Sequence, residues 1–276
     1  MTSGELPSLY LDSRDPGWSR LQAQIWDPEV ETWLDQIDVQ PGWQCVDLGC
    51  GAMGILEPLS RRSGPIGRVI GLEPRASLFD AAQHFVVRSK LQNVRLLDTT
   101  PDGTSLPHQS FHLVHARSLM SAGWNERELL AEMLRLARPG GIVAVQEPDT
   151  SSWHCHPDHS AWTRLKDAVR GAFLSGGGDL DAGCRTFALL RDAGLDDVRI
   201  RAAAIALQGV HPSKRLLVDL AESQRERILQ GGLLGEQELG ETLTVCDRIA
   251  RDPDSVVVSF LMTQVWGRKG KSRSGR

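Results

Sequence analysis

The chain has little of what membrane-spanning and secreted proteins need. It contains no run of about 18 consecutive apolar residues, and its first ten residues, MTSGELPSLY, lack the basic and apolar regions of a signal peptide. Its five cysteines are scattered and form no C-x-x-C pair, so neither a disulfide framework nor a zinc ribbon is indicated. These absences predict a cytoplasmic protein with reduced thiols that does not act in a membrane.

Outside the carboxyl-terminal end of the sequence, acidic residues outnumber basic ones. The net charge is −4, and five basic residues fall within residues 267–276, which leaves about −9 for the rest. An acidic body argues against nucleic acid as a partner, because DNA and RNA are polyanions. These ten residues are all Gly, Ser, Lys or Arg and cannot bury an apolar face, so we expect a flexible basic tail over 267–276.

A regular alternation of short β-rich runs and longer helical patterns fills residues 42–141. The runs are apolar enough to be covered on both faces, which is typical of parallel sheets. Two later β-rich runs resemble a closing hairpin. The sequence therefore predicts an α/β fold with a doubly wound, Rossmann-like, seven-stranded and mostly parallel sheet. The predicted strands are 44–48, 68–72, 94–97, 111–116, 142–146, 197–207 and 255–266.

The remaining segments are predicted to be helical. Residues 1–40 form amphipathic patterns and are expected to be an amino-terminal helical cap, either over a ligand or docked on the sheet. Residues 41–266 would form the main domain, with a mostly helical insertion over about 213–250. The best-marked helix has Asn125 as its cap and Glu128 three residues later, and we expect it to stop at residues 139–141.

The strongest motif lies where the first strand should turn into the first helix, as Asp47-Leu48-Gly49-Cys50-Gly51 followed by Gly54. Glycine permits positive φ and removes the β-carbon that would block a ligand from the main chain. The glycines alone also fit a dinucleotide-binding loop, so Asp47 is the discriminating residue. Its carboxylate would repel a pyrophosphate and attract an ammonium, which favours S-adenosylmethionine as the ligand. Glu73, at the end of the second strand, is placed to accept hydrogen bonds from ribose hydroxyls.

With these motifs the sequence resembles the class I S-adenosylmethionine-dependent methyltransferases, especially the small-molecule branch of quinone and natural-product enzymes. The resemblance covers about residues 43–149, and residues 138–141 look like the family's turn before its fifth strand. It implies that residues 47–54 hold the methionine part, Glu73 the ribose and Asp102 the adenine amine, with S-adenosylhomocysteine as product. The predicted cofactor-binding residues are Asp47, Gly49, Cys50, Gly51, Gly54, Glu73, Pro74, Asp102, Gly103, Arg117, Tyr10 and Gln24.

The acceptor site is expected beyond the fourth and fifth strands, because ligands of doubly wound sheets collect at the carboxyl ends of the strands. Glu147, Asp149 and His154 are the candidate bases if the acceptor must lose a proton, and capping or pairing with Arg117 is the alternative for the two acids. Residues 154–159 are rich in His and Cys but do not match a zinc signature, so no metal is predicted.

Eight tryptophans against one tyrosine favour an aromatic or indole-like acceptor, stacked near Trp124 or Trp153, although core packing is the alternative for both. The expected activity is methyl transfer by in-line displacement to a small organic molecule of secondary metabolism, by a chain that can form a homodimer. Two alternatives stay open. One is a noncatalytic or regulatory protein that binds S-adenosylmethionine, and the other is a nicotinamide-dependent oxidoreductase.

Overall fold

The structure is a computed structural model that describes residues 16–271, with side chains described from Ile25 onward. The strands of the main sheet and the helices that cover it alternate along the chain as the sequence predicts. In chain order the elements are α1 (Pro16–Ile37), β1 (Gln44–Leu48), α2 (Leu56–Ser63), β2 (Arg68–Leu72), α3 (Ala76–Arg88), β3 (Val94–Leu97), β4 (Phe111–Arg117), α4 (Glu126–Leu136), β5 (Ala137–Asp149), β6 (His154–His156), α5 (Ser160–Ser175), α6 (Gly183–Asp192), β7 (Leu195–Ala203), β8 (Ala206–Leu207), α7 (Leu216–Ser223), α8 (Arg225–Gln230), α9 (Glu236–Arg251), β9 (Val256–Val258) and β10 (Leu261–Lys269).

The main sheet has seven strands in the order β3-β2-β1-β4-β5-β10-β7. The first five strands run parallel, and β10 is antiparallel to both β5 and β7. The chain runs outward from β1 through β2 to β3 and then crosses to β4 on the other side of β1. The strand order therefore reverses beside β1, where ligands of such sheets bind. The predicted doubly wound, mostly parallel sheet is thus confirmed.

The two late β-rich runs are each broken, which the sequence analysis did not predict. The segment predicted as 197–207 divides into β7 and β8, and the one predicted as 255–266 divides into β9 and β10. The two breaks lie side by side and are joined by Ser259. Its amide donates to the Ile205 carbonyl, and its hydroxyl accepts from the Ile205 amide. Beyond the break, β9 pairs with both β6 and β8 in a second, three-stranded sheet.

Two predicted boundaries are wrong by a few residues. Residues 138–141 do not form a turn before β5 but a bulge within it, since the pairing with β4 shifts register between Phe111 and Leu113 and Gly140 has φ of +75°. The basic tail does not begin at residue 267 either, because Arg268 and Lys269 pair with β7. The ammonium of Lys269 donates to the carbonyls of Leu134 and Ala137, so this cation is part of the fold.

Helix α1 docks on one face of the main sheet. Val30, Trp33, Leu34 and Ile37 are buried against β1, α2 and β10. Trp33 is fully buried and meets the rings of His115 on β4 and Trp266 on β10 edge-on. The second half of α1 is therefore a scaffold for the sheet rather than a cover over a ligand.

The helices between β8 and β9 build a second core with α5. Trp162, Leu165 and Phe173 of α5 face apolar residues of α7, α8 and α9, and Trp26 of α1 joins the same core. This core covers the inner face of the small sheet through Cys155 and Val257. No helix within residues 16–271 is long and apolar enough to cross a membrane.

Candidate cofactor site

The glycine loop between β1 and α2 takes the predicted left-handed conformation, and each of its three glycines is required for a different reason. Gly49, Gly51 and Gly54 have φ of +65°, +58° and +51°. A β-carbon on Gly49 would lie 2.5 Å from Leu119 of the loop after β4, and one on Gly54 would overlap the Asp47 carboxylate. A β-carbon on Gly51 would meet nothing within 4 Å, so there is free space beside the main chain at this point, although Gly51 itself is buried.

Asp47 lies beneath the loop rather than at its mouth. Its carboxylate is 1% exposed, and both oxygens are already bound. Oδ1 is 2.7 Å from Nδ1 of His115, and Oδ2 accepts a hydrogen bond from the Ile55 amide at 3.1 Å. The predicted direct contact with an ammonium is therefore not what the geometry favours. Asp47 instead holds the start of α2 and the strand β4 to the loop.

His115 is a part of this site that the sequence analysis missed. It pairs with Asp47 in the parallel register of β1 and β4, is fully buried, and packs edge-on against Trp33. Its Nε2 has no hydrogen-bond partner among the residues that the structure describes. The available signal was a histidine between Val114 and Ala116, in the apolar middle of β4.

Glu73 connects the end of β2 to the glycine loop. Its side chain is fully buried, Oε2 accepts a hydrogen bond from the Gly51 amide at 2.9 Å, and Oε1 accepts from the Arg75 amide and from Arg75 Nε at 3.1 and 2.8 Å. The Arg75 side chain is 42% exposed, so it can leave the carboxylate without unpacking the core. Pro74 lies half-buried between them.

Cys50 fills the space under the loop rather than facing a ligand. Burial raises the pKa of its thiol well above the ordinary value, and the carboxylates of Asp47 and Glu73 raise it further. The Cys50 amide donates to the Leu72 carbonyl at 2.8 Å, which ties the loop to β2. A protonated thiol at this position contributes packing.

Asp102 and Gly103 lie in the loop between β3 and β4. Asp102 is half-buried, Gly103 is exposed with φ of +64°, and a β-carbon on Gly103 would meet no atom within 4 Å. The loop is anchored one residue later, where the Thr104 amide and hydroxyl donate to Glu132 of α4 at 2.9 and 2.6 Å. Hydrogen bonds from Arg135 and Thr104 lower the pKa of Glu132 against the effect of its burial.

Arg117, the last residue of β4, is nearly buried and acts electrostatically on Asp27 of α1. Burial raises the pKa of Asp27, and the charge of Arg117 lowers it. The two remaining predicted cofactor contacts cannot be placed in the same way. Gln24 lies in α1 without a described side chain, and Tyr10 lies outside the described residues.

Glu147 is fully buried near the carboxyl end of β5, where it binds the loop that follows β4. Its two oxygens accept hydrogen bonds from the amides of Met120 and Ser121 at 2.9 and 3.0 Å. Burial raises the pKa of this carboxyl to about 7, against the lowering effect of those hydrogen bonds. This arrangement favours the alternative of loop capping, because Glu147 has no exposed face for a substrate.

The other acceptor-site candidates are also engaged. Asp149 accepts a hydrogen bond from the Ser151 amide at 2.8 Å and so caps the short 3-10 helix Thr150–Ser152. His154 lies on β6 and contacts His156. Trp153 is 2% exposed and packs edge-on against Phe260, which makes it a core residue rather than a stacking surface. Trp124 is half-buried against the α4 side of the sheet.

The structure thus brings Asp47, Glu73 and the three glycines together at the point where the strand order reverses. Gly51 offers open main chain there, and the carboxylate of Glu73 lies directly behind it. An exposed Arg75 and a half-buried Asp102 come from the two neighbouring loops. Such a site can receive a ligand with hydroxyl and amino groups, because its nearest side chains are hydrogen-bond acceptors.

Comparison with known proteins agrees with this geometry. A family profile described as "Methyltransferase domain" matches residues 45–141, which run from β1 to the bulge in β5. Nocamycin O-methyltransferase of Saccharothrix syringae is 31% identical over 130 residues, covering 45% of each chain. Demethylmenaquinone methyltransferase of Geobacillus sp. is 26% identical over 117 residues, covering 42% of this chain and 50% of the relative.

A solved structure of a SAM-dependent methyltransferase from Aquifex aeolicus superposes with a TM-score of 0.51 at 15% identity, covering 93% of this chain and all of that one. The chain spans about half the length of the two curated relatives, so these matches concern the domain and not the whole of those proteins. Residues 45–141 thus match the methyltransferase domain profile, and the chain has the class I methyltransferase fold.

Proposed function

We propose that this chain binds S-adenosylmethionine at the glycine loop and transfers its methyl group to a small organic acceptor. The observation that carries the proposal is the junction of Gly51 and Glu73, where open main chain and a buried carboxylate meet at the carboxyl ends of β1 and β2. The methyltransferase match over residues 45–141 and the names of the relatives support the same reaction.

The roles of the cofactor residues follow from their surroundings. Glu73 would accept hydrogen bonds from ribose hydroxyls once the exposed Arg75 side chain has moved aside. Asp102, half-buried in the next loop, would accept from the adenine amine. Asp47 would act from beneath the loop: together with His115 and Ile55 it fixes the loop that contacts the methionine part.

The acceptor would lie beyond β4 and β5, close to the loop that Glu147 holds. The cofactor's sulfonium supplies an activated methyl group, so the chain's task is to place the nucleophile in line with it and to exclude water. Glu147 contributes by fixing Met120 and Ser121, and Leu119 of the same loop packs on Gly49. A phenol, enol or other acceptor that loses its proton readily fits a site whose nearest acids are already bound.

The proposal is tested by combining purified chain with S-adenosylmethionine and a panel of phenols, hydroquinones and indoles, and by following S-adenosylhomocysteine by mass spectrometry. Formation of that product together with an acceptor heavier by one methylene unit supports methyl transfer. Glu73→Gln should weaken S-adenosylhomocysteine binding about tenfold or more, because a charged hydrogen-bond acceptor is lost. The matched control is Glu57→Gln on the exposed side of α2.

Each alternative gives a different result in these assays. A noncatalytic or regulatory protein would bind S-adenosylhomocysteine and leave every acceptor unchanged. A nicotinamide-dependent oxidoreductase would bind NAD instead. Glu147 and Asp149 both accept hydrogen bonds from main-chain amides. This observation is the reason to test the noncatalytic alternative.

The proposal extends to the setting in which the chain acts. We also predict that the acceptor is a small molecule of secondary metabolism and that the chain acts in the cytoplasm. A homodimer and the absence of nucleic acid from its partners are predictions as well. The five cysteines are all free thiols, which supports a reducing compartment. Light scattering after gel filtration tests the dimer directly.

A further inference from the structure

Two histidines on β6 bring their side chains together on the outer face of the small sheet. Alternation along the strand buries Cys155 in the second core and turns His154 and His156 to the opposite side. The two rings are 4.7 Å apart between centroids with their planes at 86°, and the two Nε2 atoms are 2.9 Å apart. His154 is half-buried and His156 is exposed, so the pair is reached from solvent.

The Ser152 carbonyl determines which nitrogen of His154 carries a proton. His154 Nδ1 lies 2.5 Å from this oxygen, which can only accept a hydrogen bond, so the proton is on Nδ1. In the neutral ring, Nε2 then presents its lone pair toward His156. A backbone carbonyl that fixes the tautomer and the ring orientation in this way is a common partner of metal-binding histidines.

We propose that His154 and His156 form a two-histidine site for a divalent transition-metal ion. Zn–N bonds measure about 2.0–2.1 Å, so two Nε2 atoms on one tetrahedral Zn²⁺ lie about 3.3 Å apart. The observed 2.9 Å needs only a small opening of two solvent-accessible rings. Imidazole nitrogen is a ligand suited to Zn²⁺, Cu²⁺ and Ni²⁺.

The neighbouring groups leave the two rings as the only protein ligands described for this ion. Cys155 points into the core, and its thiol donates to the Pro157 carbonyl at 3.3 Å, so its sulfur is turned away from the two rings. Within residues 16–271 no cluster of three or more His, Cys, Asp and Glu side chains is placed to hold a metal. Water would therefore complete the coordination, which gives an open site with two protein ligands.

The test is calorimetric titration of the full chain with ZnCl₂ after treatment with EDTA and desalting. Cys184 carries an exposed thiol that could bind zinc by itself, so every measurement is made in a Cys184→Ser background. We expect one ion per chain. Each of the single substitutions His154→Ala and His156→Ala should reduce the affinity for zinc at least about tenfold. His84→Ala, which removes an exposed histidine from α3, should leave the titration unchanged.

A second readout separates lost binding from lost folding. Excess Zn²⁺ should raise the melting temperature of the parent chain and leave that of His154→Ala unchanged, while the two proteins melt alike in EDTA. Zinc binding that survives both substitutions, or no zinc binding by the parent, would overturn the site and leave the pair as a hydrogen bond between two imidazoles. The titration contains no S-adenosylmethionine, so its outcome is independent of the proposed methyl transfer.

Discussion

At the scale of single residues, the glycine loop depends on a carboxylate that does not face the ligand pocket. The two carboxylate oxygens of Asp47 contact different elements. One lies against His115 on β4, and the other accepts a hydrogen bond from the Ile55 amide at the start of α2. A local pattern predicts that an acid stands before the glycines, but not which way it turns. The direction is set by the pairing of β1 with β4, which brings together residues far apart in the sequence.

Replacing His115 tests this arrangement. His115→Phe leaves the Asp47 charge buried without its partner and should cost about 3–5 kcal/mol of unfolding free energy. His115→Asn keeps a donor near the position of Nδ1 and should recover most of the stability and of the S-adenosylhomocysteine affinity. Urea denaturation and calorimetry measure the two quantities. His112→Phe, on the same strand and stacked on Trp43, is the control and should retain binding.

Equal losses in His115→Phe and His115→Asn would contradict a role for the hydrogen bond. A smaller loss in His115→Phe than in His115→Asn would show that the ring matters for packing against Trp33.

Glu147 gives a pH dependence of known sign. Its carboxyl has a pKa raised from 4.5 to about 7 in the folded chain, so the unfolded chain ionises first as the pH rises. Stability from this group is present below about 4.5 and is lost as the pH rises to about 7. Relative to Glu147→Gln, which does not titrate, the wild-type chain should become progressively less stable across that range. Unfolding free energies that run parallel between pH 4.5 and 7 would refute the assignment.

At the scale of elements, the first three strands begin and end where the sequence predicts, because each is a short apolar run bounded by Gly, Pro or polar residues. The late strands could not be predicted in the same way. β7 with β8, and β9 with β10, are each continuous in pattern, and the breaks come from Ser259 and the distant strand β6. The bulge at residues 138–141 likewise depends on the register with β4.

The glycine loop offers a matched pair of substitutions. Gly54→Ala and Gly64→Ala both introduce a β-carbon at positive φ, at +51° and +65°. The first β-carbon would overlap the Asp47 carboxylate, and the second meets no atom within 4 Å. We expect Gly64→Ala to cost about 1 kcal/mol with normal S-adenosylhomocysteine binding. Gly54→Ala should cost about 3 kcal/mol or more and abolish binding, as judged by urea denaturation and calorimetry.

If Gly54→Ala behaved like Gly64→Ala, the close approach of Asp47 to the loop would be wrong. Crowding by Asp47 would then not be the reason that position 54 requires glycine.

At the scale of the whole molecule, α1 joins the two cores. Its Trp33 belongs to the core on the main sheet, and its Trp26 belongs to the core built by α5 and α7–α9. The amphipathic pattern of residues 1–40 predicted a helix but left open whether it would cover a ligand or dock on the sheet. The docking surface includes Trp266 of β10, so it exists only once the distant carboxyl-terminal strand has been added.

Trp33→Ala should therefore destabilise the entire fold. Removing a fully buried tryptophan costs about 3–5 kcal/mol, and the loss should appear as a lower midpoint of a single unfolding transition. Trp43→Ala, at a half-buried position before β1, is the control with a clearly smaller effect. Equal costs at the two positions would show that α1 is not anchored through Trp33.

Calorimetric titration of the full chain shows whether the glycine loop and Glu73 bind S-adenosylmethionine. S-adenosylmethionine, S-adenosylhomocysteine and NAD are compared under the same conditions. We expect one-to-one binding of the two sulfur ligands, no binding of NAD, and loss of binding in Glu73→Gln. Selective binding of NAD, or binding of the sulfur ligands that Glu73→Gln leaves intact, would contradict this expectation.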